Sequence, residues 1–454
     1  MDLDISELRR WYDEYVALDR NSISPDHAVI QAVNSDELNE SSVEERIRKL
    51  TKYDVLGLAG TWLGRCNEEH DSCRSHERTT IPTRLISVAD DFPKLTLTAD
   101  WTTAPHYATL SHSWGKEGFI RLTQDNLKSF LSIIPDHQLP ETFKDAITVT
   151  RALGIKYLWI DSLCIIQDDL EDWEREAATM KSVYGDSFIN IAASTATDGT
   201  QGCFNKPEHF IDGFQTHIVV NGEQRVQQFR LAELYDSHTR DTHLATRAWA
   251  LQEKLLPPRT LHLGNRGAFW ECRSLLASEH FPHRFPLQLE ITLVYTKQYE
   301  LHWEYLVHVY SAADMSFDKD KLPALSGIAQ LAHGRTGNQY LAGMWRPGLE
   351  AQLCWTLREA PRTRPAQGAP TWSWASVNGG VLYSDLQSLR DQDCYQDEFA
   401  HVLEASTTPV GCDPFGEPFL SMLDEYGEKA VREICAQIIF NSEYPKEPYT
   451  LTIG

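Results

Sequence analysis

Two short apolar runs that end in polar residues constrain this fold more than any other part of the chain. The first runs from Tyr107 to Gly115 and the second from Lys156 to Ile165. Each stops at polar residues or a turn former, which is typical of a buried parallel strand that delivers a loop to one edge of a sheet. Because α/β proteins bind ligands at that edge, we expect a small-molecule ligand in a cleft at these strand ends.

Helical and strand-like segments alternate after the first run. Apolar residues at i, i+3 and i+4 predict a helix that ends at Gly154, and a second helix that opens near Asp168 and Asp169. Ser187 to Ser194 has the composition of a third core strand. The β-α-β-α-β order predicts an α/β fold with a small parallel sheet flanked by helices.

Hairpins and a tryptophan-rich part extend this core. Asn221-Gly222 and residues 264–267 predict two hairpins, and residues 81–88 and 95–98 predict a third that leads into the Tyr107 strand. We expect four regions: a helical N-terminal extension over 1–56, a domain over 57–280 with its α/β core at about 104–273, a mainly helical, tryptophan-rich subdomain over 281–380, and a segment of unassigned role over 381–454.

The charge of the chain argues against one class of partner. Lys and Arg number 42 against 65 Asp and Glu, a formal charge of −23. This charge repels the nucleic-acid backbone and anionic membrane surfaces, so we expect no nucleic-acid partner. No run approaches the roughly 18 apolar residues that span a bilayer, and no apolar signal segment follows Met1. Nine scattered cysteines favour reduced core thiols, so we expect a cytoplasmic protein.

One cluster has the composition of a metal site. Cys66, His70, Cys73 and His76 are spaced so that they could supply four zinc ligands. The alternative, which we favour, is a helix with two core cysteines and two surface histidines, because the spacing matches no common zinc module and no second Cys/His cluster lies nearby in sequence. The four residues stay candidates for a metal.

Polar residues at the two strand ends are the candidates for ligand contact. Asp161 ends a buried strand, where a carboxylate either faces the cleft or caps the next turn. Trp114 could stack on a flat ligand ring or only pack in the core, and Ser111 could hold a phosphate or a backbone amide.

A Ser-His-Asp hydrolase built from Ser111 or Ser162 with His112 and Asp161 has the right residue types. Two observations argue against it. The Gly-x-Ser-x-Gly elbow is missing from this stretch, and neighbouring residues on a strand point to opposite faces of a sheet.

The motifs resemble those of one family, the fungal heterokaryon incompatibility, or HET, domain. The matching segments follow in order along the chain: Ile81 to Leu85, Tyr107 to Gly115, Gly154 to Gln167, Met180 to Ser194 and Arg247 to Leu256, and then Glu271-Cys272, Lys321 to Gly327 and Pro370 to Ser376. One departure is His112-Ser113, which stands where the family usually has an aromatic residue and a cysteine.

The resemblance implies an intracellular fungal protein of the kind that triggers growth arrest or cell death on non-self recognition. It also implies a fold similar to TIR and flavodoxin-like domains. TIR enzymes cleave NAD with a glutamate in a Trp-Cys-x-x-Glu-type helix start, and Trp249 to Glu253 is similar in order and spacing. Glu253 would then hold the ribose hydroxyls and stabilise an oxocarbenium-like state. Alternatively, Glu253 is a solvated glutamate paired with a basic residue, and Arg247 pairs with it or contacts phosphate.

Three functions remain open at this point. They are a TIR-like NAD glycohydrolase that needs no cofactor and takes NAD as its substrate, a HET-fold enzyme recruited to a small-molecule, secondary-metabolite transformation, and a signalling module that acts by self-association or with a protein partner. For an enzyme, we expect the catalytic residues to be Glu253 and Asp161, and the ligand-binding residues to be Ser111, His112, Trp114, Arg247 and Trp249.

Overall fold

The computed structural model describes most of the chain between residues 51 and 383 and short pieces outside it. The described residues are 30–33, 51–74, 80–115, 119–204, 213–220, 223–231, 239–265, 267–279, 281–283, 302–315, 317–359, 369–383, 400–402, 405–407, 413, 415 and 449–451. They belong to two compact units, one of residues 49–208 and 238–454, the other of residues 1–48 and 209–237.

The strands are β1 Ile30–Val33, β2 Arg84–Ser87, β3 Lys94–Leu97, β4 Tyr107–Ser111, β5 Tyr157–Trp159, β6 Ile189–Ala193, β7 Gly213–Val220, β8 Glu223–Leu231, β9 Arg259–Gly264, β10 Gly267–Cys272, β11 Leu276–Ser278, β12 Tyr340–Leu341, β13 Met344–Trp345, β14 Trp355–Leu357, β15 Val381–Tyr383, β16 Ala400–Val402 and β17 Tyr449–Leu451. The helices are α1 Lys52–Glu69, α2 Asp71–Arg74, α3 Leu127–Phe130, α4 Glu141–Ala152, α5 Asp161–Cys164, α6 Leu170–Gly185, α7 Ala248–Leu255, α8 Trp303–Ala312, α9 Pro323–Thr336 and α10 Leu349–Gln352.

The larger unit is built on an eight-stranded sheet with the order β11-β10-β9-β6-β4-β5-β2-β3. Its four central strands, β9, β6, β4 and β5, are parallel, and the outer pairs on both sides are antiparallel. Across the sheet from β5 to β9, the parallel strands are the second, first, third and fourth along the chain, which is the flavodoxin-like order. The predicted α/β class is confirmed, although the sheet is larger than the small parallel one expected.

The central strands have one apolar and one polar face. Registered neighbours share a face, and Ala108 lies between Leu158 and Ile189, with Leu110 beside Ile191. On the opposite face Asn190 lies between Thr109 and Thr260. Both faces are buried, so the polar side chains on the second face must find partners inside the protein.

Helices cover both faces of the sheet. Trp62 of α1 and Phe143 of α4 share the core cluster with the apolar strand residues. On the polar side, Tyr107 of β4 donates its hydroxyl to the carbonyl of Val183 in α6 at 2.7 Å, and Asn190 donates to the carbonyl of Glu253 in α7 at 3.3 Å. Helix α9 packs on α6 and α7, and α8 contacts α7. This part of the fold is therefore an α/β/α layer structure.

Local signals set the helix ends as the sequence predicts. Asp169 caps α6 by accepting a hydrogen bond from the backbone of Asp172 at 3.1 Å. Gly154 follows α4 with a φ of +72°, a conformation that suits glycine after a helix. Helix α7 ends at Leu255, two residues before Pro257-Pro258. The hairpin of β9 and β10 pairs Gly264 with Gly267, also as predicted.

The hairpin of β2 and β3 is formed, but β2 pairs with β5 and not with the Tyr107 strand that it precedes in the chain. Arg84 on β2 lies in a buried ion-pair network with Asp172 and Glu176 of α6. Because Arg84 and both carboxylates are buried, the network ties the end of the sheet to that helix.

The tryptophan-rich part has its own core. Trp303 and Trp345 meet edge to face with ring centroids 5.1 Å apart. The indoles of Trp303 and Trp374 both donate to the carbonyl of Gly343 at 2.8 Å. Strand β15 pairs with β14, so this subdomain includes residues beyond 380.

The smaller unit is a three-stranded sheet with the order β1-β8-β7. The two-residue connection at Asn221-Gly222 joins β7 to β8, which confirms that predicted hairpin. Ile30–Val33 is a strand paired with β8, although a helical extension was expected over 1–56. The rest of that extension before Thr51 lies outside the described residues.

Within the described part of the chain, no helix has both the length and the apolar character to cross a bilayer.

Candidate functional site

The candidate site lies where the direction of chain connection changes in the sheet. From β4 the chain proceeds to β5 on one side, and from β6 it proceeds to β9 on the other. Such a switch point opens a crevice at the carboxyl ends of the two strands. Ser111 is the last residue of β4, and Asp161 begins α5 directly after β5. Helix α7 brings Glu253 to the same place.

Glu253 has a buried carboxyl group with a raised pKa. It is 3% exposed, and burial raises its pKa from 4.5 to about 7, against the opposing effect of the Arg247 charge. The nearby hydroxyl groups of Ser111 and Tyr184 favour its charged form. Of the described residues, none gives its Oε2 a hydrogen bond. A buried group with this pKa and one orphan oxygen can change its charge near neutral pH.

Asp161 is the first residue of α5, and both of its carboxylate oxygens accept hydrogen bonds. Its Oδ1 accepts a hydrogen bond from the backbone of Ser162 at 2.6 Å, and its Oδ2 accepts one from the indole of Trp114 at 2.9 Å. The side chain is 16% exposed. Trp114 is half-buried and is oriented by this bond.

Gly115 ends the opening motif in a conformation that requires glycine. Its φ is +74°, and a Cβ at this position would come 2.6 Å from the Cβ of Asp198. Any other residue would be strained and would displace the chain beside Trp114.

Ser111 is held by a residue that the sequence analysis did not single out. Its hydroxyl donates to Oδ1 of Asn190 at 3.2 Å, and Thr109 donates to the same oxygen at 3.0 Å. Asn190 in turn donates to the backbone of Glu253. The signal for Asn190 is a polar residue inside an otherwise apolar strand, with Ser194 four residues later on the same face.

His112 points to the opposite side of β4. Its ring packs edge to face on Phe143, with centroids 5.0 Å apart, and on Phe119 at 6.3 Å. Burial lowers its pKa from 6.5 to about 4, so the imidazole is neutral at physiological pH. His112, which was predicted to contact a ligand, therefore lies among aromatic side chains.

A Ser-His-Asp triad is not assembled from the described candidates. His112 Nδ1 lies 3.9 Å from Asp161 Oδ1, beyond a hydrogen bond, and Ser111 is engaged with Asn190 on the other face. Ser162 is fully buried. Ser111 and His112 lie on opposite faces of the sheet because neighbouring strand residues alternate between its faces.

Arg247 and Trp249 have different surroundings although both belong to the start of α7. Arg247 donates to the backbone carbonyl of His112, which fixes the helix start against the end of β4. Trp249 is half-buried and hydrogen-bonds with Asp320 in the C-terminal part. Arg247 thus lies beside the strand-end crevice, while the indole N–H of Trp249 is directed toward the tryptophan-rich subdomain.

A cavity of about 210 Å³ adjoins the crevice on the polar side of the sheet. Ser111 and Arg247 belong to its wall and also contact the surroundings of Glu253. Polar strand residues line one side, and side chains of α7 and α8 line the other. The volume is below the range of about 300–1,000 Å³ that drug-sized ligands occupy.

Three of the four metal candidates lie together elsewhere in the structure. Ligand atoms of Cys66, His70 and Cys73 are within 4.8 Å of one another, and Cys272 completes the group. His76, the fourth candidate from the sequence, is outside the described residues.

Comparison with known proteins gives one family. Residues 107–253 match the family model described as "Heterokaryon incompatibility protein (HET)". The match begins at the first residue of β4 and ends at Glu253, inside the 57–280 expected from the sequence. No curated protein and no solved structure matches the chain. The chain therefore carries a heterokaryon incompatibility (HET) domain at residues 107–253.

Proposed function

We propose that the HET domain cleaves the N-glycosidic bond of NAD and that Glu253 is the carboxylate that stabilises the transition state. The observation that carries the proposal is the Glu253 side chain, which is buried at the strand ends with a pKa raised to about 7 and an orphan Oε2. Carboxyl groups whose pKa is strongly changed by burial and a charged partner concentrate at active sites. The choice of NAD rests on the resemblance of Trp249 to Glu253 to the TIR helix start.

The reaction needs the ionised form of Glu253. The bond between C1′ of the ribose and the pyridinium nitrogen breaks, its electron pair stays on that nitrogen, and neutral nicotinamide leaves. Positive charge then develops on the ribose, where an adjacent carboxylate stabilises it. Water forms the new bond to C1′ and releases a proton. The products are nicotinamide, ADP-ribose and H⁺.

The neighbouring residues would divide the remaining tasks. Asp161, which is partly exposed, would accept the proton of the attacking water. Arg247 would contact the pyrophosphate, and Ser111 would orient Glu253. Because Glu253 is only 3% exposed, the ribose can reach it only if side chains around it move aside.

The test measures nicotinamide release from NAD by the purified full chain at high protein concentration, where self-association can occur. We expect the wild type to release nicotinamide, and Glu253→Gln to lose at least 100-fold in rate, as loss of transition-state charge stabilisation does elsewhere. The matched control is Glu174→Gln, a change on the exposed face of α6 that should leave the rate unchanged. Circular dichroism establishes that each variant is folded.

A folded wild type that releases no nicotinamide would contradict the proposal, and so would equal rates for wild type and Glu253→Gln.

The cavity beside Ser111 favours a second candidate, the transformation of a smaller molecule. At about 210 Å³ it could enclose only one end of a dinucleotide. Ala250 lies in its wall, and Ala250→Leu would narrow it without replacing Glu253. Thermal stabilisation by a small compound that Ala250→Leu abolishes, together with no nicotinamide release from NAD, would favour this candidate. Stabilisation by NAD and loss of that effect in Glu253→Gln would favour the first.

A further inference from the structure

One side-chain cluster far from Glu253 has the composition of a closed metal centre. It contains three thiols and one imidazole, from Cys66, His70, Cys73 and Cys272, and their ligand atoms all lie within 4.8 Å of one another. The three cysteines are buried and His70 is half-buried. Three of the residues lie on or beside α1 and α2, while Cys272 ends β10.

The separation between Cys272 Sγ and His70 Nδ1 matches that of two ligands in a tetrahedral zinc site. Zn–S bonds of about 2.3 Å and Zn–N bonds of about 2.0–2.1 Å place S and N ligands about 3.6 Å apart and two S ligands about 3.8 Å apart. Cys272 Sγ and His70 Nδ1 are 3.5 Å apart. Cys₃His is one of the common ligand sets of structural zinc.

The groups around the cluster suit thiolates. The backbone N–H of Leu275 donates to Cys272 Sγ at 3.2 Å, and Arg259 Nε donates to Cys66 Sγ at 3.1 Å. Arg259 is 2% exposed. Zn²⁺ with three thiolates and a neutral imidazole has a charge of −1, which the Arg259 cation would balance. Outer hydrogen bonds of this kind orient metal ligands and tune their basicity.

A disulfide explains less of this arrangement. Joining any two of the three thiols would leave the third cysteine and His70 without a role in the cluster. All six cysteines that the structure describes are free thiols. A zinc ion would use all four groups at once.

We propose that Cys66, His70, Cys73 and Cys272 bind one structural Zn²⁺ that fastens α1 and α2 to the end of β10. His70 and Cys272 are 202 residues apart in the chain, so the ion would join the segment before the HET domain to the sheet. The fastening would act together with existing contacts, such as the 2.7 Å hydrogen bond between Ser72 and Ser274.

The first test measures zinc in the full chain purified without chelator. We expect about one Zn²⁺ per chain, and we expect Co²⁺ substitution to give visible d–d bands and a sulfur-to-metal charge-transfer band. Cys272→Ser should weaken metal binding by more than the roughly 10- to 100-fold that follows loss of an outer-shell partner. Cys354→Ser is the control, because Cys354 lies outside the cluster and bonds to the carbonyl of Glu350.

A second measurement keeps the proposal testable if Cys272→Ser does not fold. Stepwise modification of wild-type thiols by a mercurial should release zinc in parallel with the loss of three protected thiols. A wild-type chain that holds no zinc after refolding with Zn²⁺ would overturn the proposal. So would a full complement of zinc in folded Cys272→Ser, or a disulfide within the cluster in protein purified under reducing conditions.

Discussion

Burial shifts the pKa values of Glu253 and His112 in opposite directions. Both are buried, and burial disfavours the charged form of each. The pKa of the acid therefore rises, to about 7, and that of the base falls, to about 4. At neutral pH the imidazole is uncharged, while the carboxyl group is close to half-ionised. Glu253 is thus the residue of this pair whose charge changes near physiological pH.

These shifts predict opposite pH dependences of stability. The pKa of Glu253 is raised from 4.5 to about 7, so its contribution is complete below pH 4.5 and is lost as the pH rises to 7. The pKa of His112 is lowered from 6.5 to about 4, so its contribution is complete above pH 6.5 and is lost as the pH falls to 4. Between about pH 4.5 and 6.5, the Glu253 contribution to stability falls with rising pH while the His112 contribution increases.

Glu253→Gln isolates the carboxyl contribution. The free energy of unfolding of wild type minus that of the variant should fall by about 3 kcal/mol between pH 4.5 and 7, since one pKa unit corresponds to about 1.4 kcal/mol. Urea unfolding at a series of pH values measures this difference. Exposed Glu174→Gln should show no such trend, and a difference for Glu253→Gln that is constant with pH would contradict the assignment.

The sequence indicated which residue types stand at the strand ends, but not their environments. The Tyr107 motif placed Ser111 at the end of a buried strand, and the structure agrees. The pKa of Glu253 depends on Tyr184 and Asp161, which lie far from it in the chain and meet it only in the folded protein. Sequence spacing also gave three metal candidates, while Cys272 comes from a distant strand.

At the scale of elements, a buried ion-pair network holds the outer hairpin to the α/β core. Arg84 donates to the carbonyl of Cys164 and to Asp172, both at 2.5 Å, and lies 3.3 Å from Glu176. Burial raises the pKa of Glu176, and the Arg84 charge opposes that rise. Removing Arg84 would leave Arg175, whose side chain is 56% exposed, as the remaining cation beside the two buried carboxyl groups among the described residues.

Arg84→Gln should therefore destabilise the protein by about 3–5 kcal/mol, the usual cost of removing one partner from a buried ion pair. Lys94→Gln is a matched control, because Lys94 pairs with Asp90 on the surface and should cost about 1 kcal/mol or less. Chemical unfolding of both variants gives the comparison. Similar small losses would show that the network does not fasten the hairpin.

The helices and hairpins with local sequence signals could be predicted, but the pairing of strands within the sheet could not. The cap at Asp169, the prolines after α7 and the Asn221-Gly222 turn each act within a few residues. The pairing of β2 with β5, and of β6 with β9, joins strands separated by whole helices. Ile30–Val33 is a strand through its pairing with β8, a partner that lies almost 200 residues later.

At the scale of the whole molecule, the chain combines a HET domain with parts that lie outside the family match. The match covers residues 107–253, yet the eight-stranded sheet also includes β2 and β3 before it and β9 to β11 after it. Helices α8 and α9 then cover α7, which holds Glu253. The proposed activity therefore belongs to the full chain and should be measured on it.

The most direct test of the proposed activity is the pH dependence of nicotinamide release from NAD by that full chain. If ionised Glu253 stabilises the transition state, kcat/KM should rise about tenfold per pH unit below pH 7 and level off above it, with one apparent pKa near 7. No release between pH 5.5 and 8.5, or a rate that does not change across that range, would contradict the proposal.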